Sequence, residues 1–225
     1  MKFIKILFVV IIFASIGGAV LINTKKDDSE DKDDKTFPSE IADHENFKTF
    51  QKEMSDAGIV VNPDEIIIKD QREIYNPDRI KVFSQQDEIK KTELEETTQS
   101  LRDVSGVTFS PDQKIILDYR NIARVGASSR QIRLFGIRSE KILDAPLLDC
   151  AISSECIYID GYFIDNDSFV LHEISLARKD PDCVVGSTCS YSIKIHYVEL
   201  MQNQRSLYES TEFEAPVASM RLLVQ

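Results

Sequence analysis

His172, His196 and Glu173 are the residues of this chain best placed by type and spacing to do chemistry. The two histidines fall in apolar runs that read as strands, 169–174 and 191–200, in corresponding parts of one long hairpin, and Glu173 follows the first of them directly. An imidazole beside a carboxylate carries protons near neutral pH or ligates a metal, so an anchored hydrolase or metal-dependent enzyme using His172, His196 and acidic neighbours is one reading. Ordinary half-exposed strand histidines are the other. No Gly-x-Ser-x-Gly, no phosphate-cradling glycine loop and no His-Glu-x-x-His occurs, and glycine is only 8 of 225 residues. Asp165, Asp167 and Asp180-Pro181-Asp182 have turn chemistry rather than active-site chemistry. No catalytic residue, metal ligand or cofactor is therefore assigned.

The cysteines carry a clearer message. Five residues separate Cys150 from Cys156, and five separate Cys183 from Cys189. Even number, equal spacing and loop placement predict two local disulfides, because short loops cost least entropy to close. Four thiolates on zinc are the rival, but structural zinc sites prefer two to four residues between paired ligands. Disulfides persist where the compartment is oxidising, so these residues are expected outside the cytoplasm.

The elements that must position these groups are mostly strands. Candidates are 107–109, 115–119, 131–137, 157–164, 169–174, 191–200, 206–213 and 217–224. In 191–200 the alternation sets Tyr191, Ile193, Ile195, Tyr197 and Glu199 against Ser192, Lys194, His196, Val198 and Leu200. Tight turns between successive β runs predict antiparallel neighbours. An internal repeat organises them: 107–119 has an echo at 162–173, the ungapped match running 108–119 on 162–173 and placing Phe109 on Phe163 and Ile115-Ile116-Leu117 on Phe169-Val170-Leu171, while 131–137 matches 192–198.

Phe109-Ser110-Pro111-Asp112, followed by Ile115-Ile116-Leu117, resembles the turn between the first two strands of a β-propeller blade, as in WD-repeat and TolB-like proteins. The resemblance covers about 107–213, with Gln113 in place of the usual glycine and no Trp-Asp pair. It implies hairpins of blade type and a leaning toward docking of other proteins. A closed propeller needs at least four blades and two copies are found. Either 59–83 holds a decayed third unit, or the hairpins form an antiparallel meander in two packed sheets, which is the expectation adopted.

Upstream, 39–58 reads as a helix capped by Ser39, with Ile41, Phe47, Phe50, Met54 and Ala57 on one stripe, His44 on its polar side and Gly58 at its stop. Short strands are expected at 59–61, 66–68 and 80–83 between Asn-Pro-Asp turns, then a surface helix over 85–104 with Ile89, Leu94, Leu101 and Val104 as a thin apolar stripe. Residues 25–35, Lys-Lys-Asp-Asp-Ser-Glu-Asp-Lys-Asp-Asp-Lys, contain nothing to bury and read as a solvated tether.

The first residues are hydrophobic. Residues 6–22 carry no charge, and at 1.5 Å rise they reach ~26 Å, the short end of a bilayer core. Lys2 and Lys5 on one side, with the cysteines on the other, predict a single-pass signal-anchor with a cytoplasmic N-terminus in the cell membrane. A cleaved signal and a secreted product is the alternative. A net charge of −11 argues against nucleic acid, whose phosphates need clustered Lys and Arg.

The fold class predicted is thus mainly β (α+β): an N-terminal transmembrane helix (1–24), an acidic tether (25–38), a helix and short-strand subdomain (39–105), and an extracytoplasmic β domain with two blade-like repeats (106–225). The partners expected are the membrane and a protein or surface ligand.

Overall fold

Antiparallel pairing joins every strand to its neighbours, as short turns between alternating apolar runs require. The computed structural model describes residues 36–74, 80–120, 129–151, 156–177, 183–184 and 186–222. The predicted span at 6–22 and residues 25–35 of the tether lie outside them. Among the described residues no helix is long and apolar enough to cross a membrane.

In chain order the elements are α1 (Ser39–Ala42), α2 (Glu45–Asp56), a 3-10 turn (Pro63–Glu65), β1 (Ile67–Glu73), β2 (Lys81–Ser84) and α3 (Glu88–Leu101). Then come β3 (Val107–Phe109), β4 (Ile115–Asp118), β5 (Ser129–Arg138), β6 (Lys141–Ala151), β7 (Ile157–Phe163) and β8 (Ser168–Leu176). The chain closes on β9 (Thr188–Glu199), β10 (Gln204–Glu209), β11 (Phe213–Pro216) and α4 (Val217–Leu222). One sheet runs β2-β6-β5-β4-β3; the other runs β1-β10-β9-β8-β7, with β11 against β9. Each is a four-stranded meander, β3 to β6 and β7 to β10, extended at its fourth strand by β2 or β1. The sequence repeat covers the first three strands of each meander. Residues 39–105, set apart in the sequence from the β-rich remainder, donate an edge strand to each sheet, and Thr36–Gln225 forms one compact unit.

Side-chain alternation builds four layers. Ile115, Leu117, Ile132 and Leu134 of the first sheet pack on Phe163, Phe169, Leu171 and Val198 of the second. Helix α2 covers the far face of the second sheet, with Phe47, Phe50 and Met54 against Tyr162, Val170, Ile193 and Ile195. Each of those aromatic burials contributes about 1.5–3 kcal/mol. Helix α3 covers the far face of the first sheet, setting Leu101 on Ile116 and Phe135.

The Phe109–Asp112 turn is held from inside. Ser110 is fully buried; its hydroxyl accepts from Ile115 N at 3.0 Å and donates to Asp112 Oδ1 at 2.7 Å. Gln113 takes φ +61°, the conformation a glycine would adopt more easily. Asp112 N donates to Asn166 Oδ1 at 2.9 Å, so the corresponding turns of the two repeats touch.

Several expectations are corrected. The helix expected over 39–58 breaks at Asp43-His44: His44 has extended backbone and its Nδ1 accepts from Asn46 N at 3.3 Å, starting α2 afresh. Ser39 lies inside α1, whose N-cap is Pro38. His44 is not simply exposed, since its ring stacks on Tyr162 at 4.7 Å. No strand forms at 59–61, where Ile59 and Val61 are buried and Val60 faces solvent. Ile89 likewise points to solvent rather than joining the stripe of α3. The run 217–224 turns into helix over Val217–Leu222, because Val217 and Met220, three residues apart, both reach the core under α2. Strand β6 was not anticipated at all. Its Pro146 sits beside a register shift opposite Ile132/Arg133, the kind of place where a sheet tolerates a residue without an N–H.

Candidate functional site

The two histidines do not meet. In the β8/β9 ladder His196 lies opposite Leu171 and His172 opposite Ile195, so they face opposite sides of one sheet. His172 points to the helix side, fully buried, stacked on Phe50 at 3.9 Å and with Nδ1 3.3 Å from Asp160 Oδ2 outside hydrogen-bond geometry. That is a core position. A shared His172/His196 centre is therefore excluded by register, and no group of three or more His, Cys, Asp or Glu placed to hold a metal occurs among the described residues.

His196 points the other way, between the sheets, where the face predicted for Ser192, Lys194, His196, Val198 and Leu200 is realised. Its Nε2 lies 2.9 Å from Glu173 Oε2, and both side chains are almost wholly buried. Lys194 Nζ is 3.7 Å from the other Glu173 oxygen. Along β10 the same face carries Arg205, whose guanidinium reaches Asp70 Oδ2 of β1 at 3.2 Å. Arg72 stands cross-strand from Arg205 and shares Asp70 at 3.4 Å. A carboxylate between two facing guanidiniums relieves a repulsion that would otherwise open this edge.

His196, Glu173, Lys194, Arg205 and Arg72 line a cavity of about 370 Å³ together with Tyr158, Asp149 and three leucines, Leu147, Leu148 and Leu207. The cations grade inward: the Arg72 side chain is 62% exposed, Lys194 29% and Arg205 5%. Burial pushes the His196 imidazole below its ordinary value and outweighs the attraction of Glu173. Burial would raise Glu173, but His196, Lys194 and Arg205 together hold it below the usual carboxylate range. The pair thus rests as neutral imidazole donating Nε2–H to a carboxylate. Among the described residues His196 Nδ1 and Arg205 Nε, both buried, have no hydrogen-bond partner. Burial and then Arg72 depress the Arg205 guanidinium, with Asp70 opposing only in part. Polar atoms left unpaired in a low-dielectric cavity cost stability unless something supplies them.

Sequence reasoning found His196 and Glu173 and missed Tyr158, Arg72 and Arg205 as their company. The alternation in 191–200 placed Lys194 beside His196. Arg72 lies on β1, more than a hundred residues away, and only sheet order brings it in.

Cys183 and Cys189 form a disulfide with Cα atoms 5.7 Å apart, as predicted, closing the loop before β9. Cys156 is disulfide-bonded too, while the side chain of its expected partner Cys150 lies outside those described. Proteolysis without reduction, followed by mass spectrometry, should give separate 150–156 and 183–189 linkages. A peptide joining the two pairs would refute the local connectivity. No family model, curated protein or solved structure matches this chain.

Proposed function

We propose that this chain is an extracytoplasmic binding domain, held at the cell membrane by residues 6–22 with a cytoplasmic N-terminus, which captures a protein or surface ligand without transforming it. The observation that carries the reading is the cavity between the sheets, where buried Arg205 and His196 each keep an unpaired nitrogen. The Cys183–Cys189 disulfide supports an oxidising surrounding. Two meanders with touching turns support the blade-like reading and its leaning toward docking.

A hydrolase is the second reading, favoured by the 2.9 Å Glu173–His196 contact, which orients an imidazole as a base. Among the described residues no Ser, Thr or Cys lines the cavity with it, so water would have to be the nucleophile. Binding asks less of the same residues.

A reporter enzyme fused after Gln225 should be active only outside the cytoplasm. In-cell cross-linking should trap a partner with the wild-type chain and lose it with Arg72→Ala/Lys194→Ala, two partly exposed positions. Cytoplasmic reporter activity, or trapping indifferent to that variant, would refute the reading.

A further inference from the structure

We propose that the cavity between the sheets takes a monocarboxylate bearing an apolar tail, and that a proton from solvent settles on His196 Nδ1 as it binds. This rests on the binding reading above and names the chemistry of the ligand.

Charge is the first argument. Arg72, Lys194 and Arg205 line the cavity with Asp149 and Glu173, and Asp70 behind them pairs with both arginines, so with neutral His196 the lining and that partner together sum to zero. An anion entering alone would leave one uncompensated negative charge in a partly buried place, which is costly. An anion entering with one proton restores neutrality. A dianion such as phosphate would need two protons, and His196 is the only neutral imidazole lining the site among the described residues.

The unpaired atoms are the second. Arg205 Nε–H lacks an acceptor, and His196 Nδ1 lacks a partner. A carboxylate has two oxygens in one plane: once both buried side chains turn these atoms toward the cavity, one oxygen accepts from the guanidinium and the other from Nδ1–H of the protonated His196. His196 would then stand between the ligand and Glu173, which already accepts from Nε2. Glu173 on β8 holds the cation in place. The other groups facing His196 are Lys194 on its own strand, Arg205 on β10, Arg72 and Asp70 on β1, Asp149 on β6 and the Tyr158 ring on β7, 6.2 Å away. Burial, with Glu173 adding to it, keeps the Tyr158 phenol protonated, so it does not compete for the proton.

The leucines are the third. Leu147, Leu148 and Leu207 give the cavity an apolar wall suited to a short hydrocarbon chain. Both a free small acid and the C-terminal carboxylate of a protein ending in an apolar residue present this chemistry.

Titration calorimetry of the full-length chain with butyrate, in two buffers of different ionisation enthalpy, distinguishes the outcomes. Uptake of one proton per butyrate is expected, with affinity rising by up to about tenfold for each pH unit lowered above the pKa of His196. Butyramide should not compete. His196→Asn should abolish the proton uptake, and Lys194→Gln, at a half-buried position, should weaken binding several-fold even if His196→Asn fails to fold. A short peptide ending in leucine that binds more tightly than butyrate, and loses binding when amidated, points to a partner's chain end; the reverse order points to a small acid. No binding of butyrate or peptide at concentrations on the order of 10 mM overturns the proposal. So does binding without proton uptake, or butyramide binding as well as butyrate. The last result leaves the cavity a binding site, so the wider reading survives it; loss of cross-linked partner tests that reading separately.

Discussion

Gly136→Ala is expected to destabilise this protein by about 3 kcal/mol or more, a large share of the 5–15 kcal/mol that holds a typical domain folded. Gly136 has φ +149° in the middle of β5, between Ile115 of β4 and Leu143 of β6. A Cβ there would lie 2.1 Å from the Lys114 carbonyl oxygen and 2.8 Å from Ile115 Cα. Those are backbone atoms of a paired central strand, so no side chain can swing aside. Relief would require parting β4 from β5, and Ile115 and Leu117 would leave the core between the sheets. Gly58→Ala is the control. It too has positive φ, +82°, but nothing lies within 4 Å of its added Cβ, so only the left-handed penalty of about 1–2 kcal/mol applies. Urea unfolding of both variants checks the contrast; equal losses would mean that strand collision is not what Gly136 avoids.

Gly136 also marks how far the sequence could be read. The repeat joining Phe109 to Phe163 pointed to two similar hairpins, and they became the first halves of two meanders because each needs only short turns and period-two alternation. Periodicity placed Lys194 and His196 on one face and Ile193 and Ile195 on the other, and burial agrees. What it could not supply was register between distant strands. A one-residue difference decides whether His172 sits opposite His196 or opposite Ile195, and nothing local to either residue encodes it. The same limit hid β6, where Pro146 and Asp144 break the alternation, although Arg133 repays Asp144 with a paired hydrogen bond of 2.6 Å on each oxygen. It hid the company of Glu173 as well: Arg205 and Asp70 are 135 positions apart and meet only because β1 joins the edge of β10. Residues 217–222 failed differently, since a short apolar run fits helix and strand alike until its neighbours are known.

Glu173→Ala is expected to cost about 3–5 kcal/mol, because it strips the shared carboxylate from His196 and Lys194 and leaves buried donors without an acceptor. Glu173→Gln keeps an acceptor but loses the charge, and a smaller loss of about 1–3 kcal/mol is expected. The dependence on pH separates this pair from simple packing. The folded His196 pKa lies below its ordinary 6.5, so between these values the unfolded chain holds a proton that the folded one does not. Stability is then fully present above about pH 6.5 and falls as pH drops toward the folded value. Glu173, lowered from 4.5, adds a second loss beginning at more acid pH. Glu199, raised from 4.5 by burial and by Glu40 and Asp165, works in the opposite direction above that value and blunts the fall without cancelling the earlier onset from His196. Urea midpoints at pH 8, 6 and 5 should therefore decline for the wild-type chain, and the decline between pH 8 and 6 should be shallower in His196→Asn. An unchanged slope in that variant would show that His196 takes up its proton equally in the folded and unfolded chains, and the neutral imidazole assigned to the cavity would be wrong.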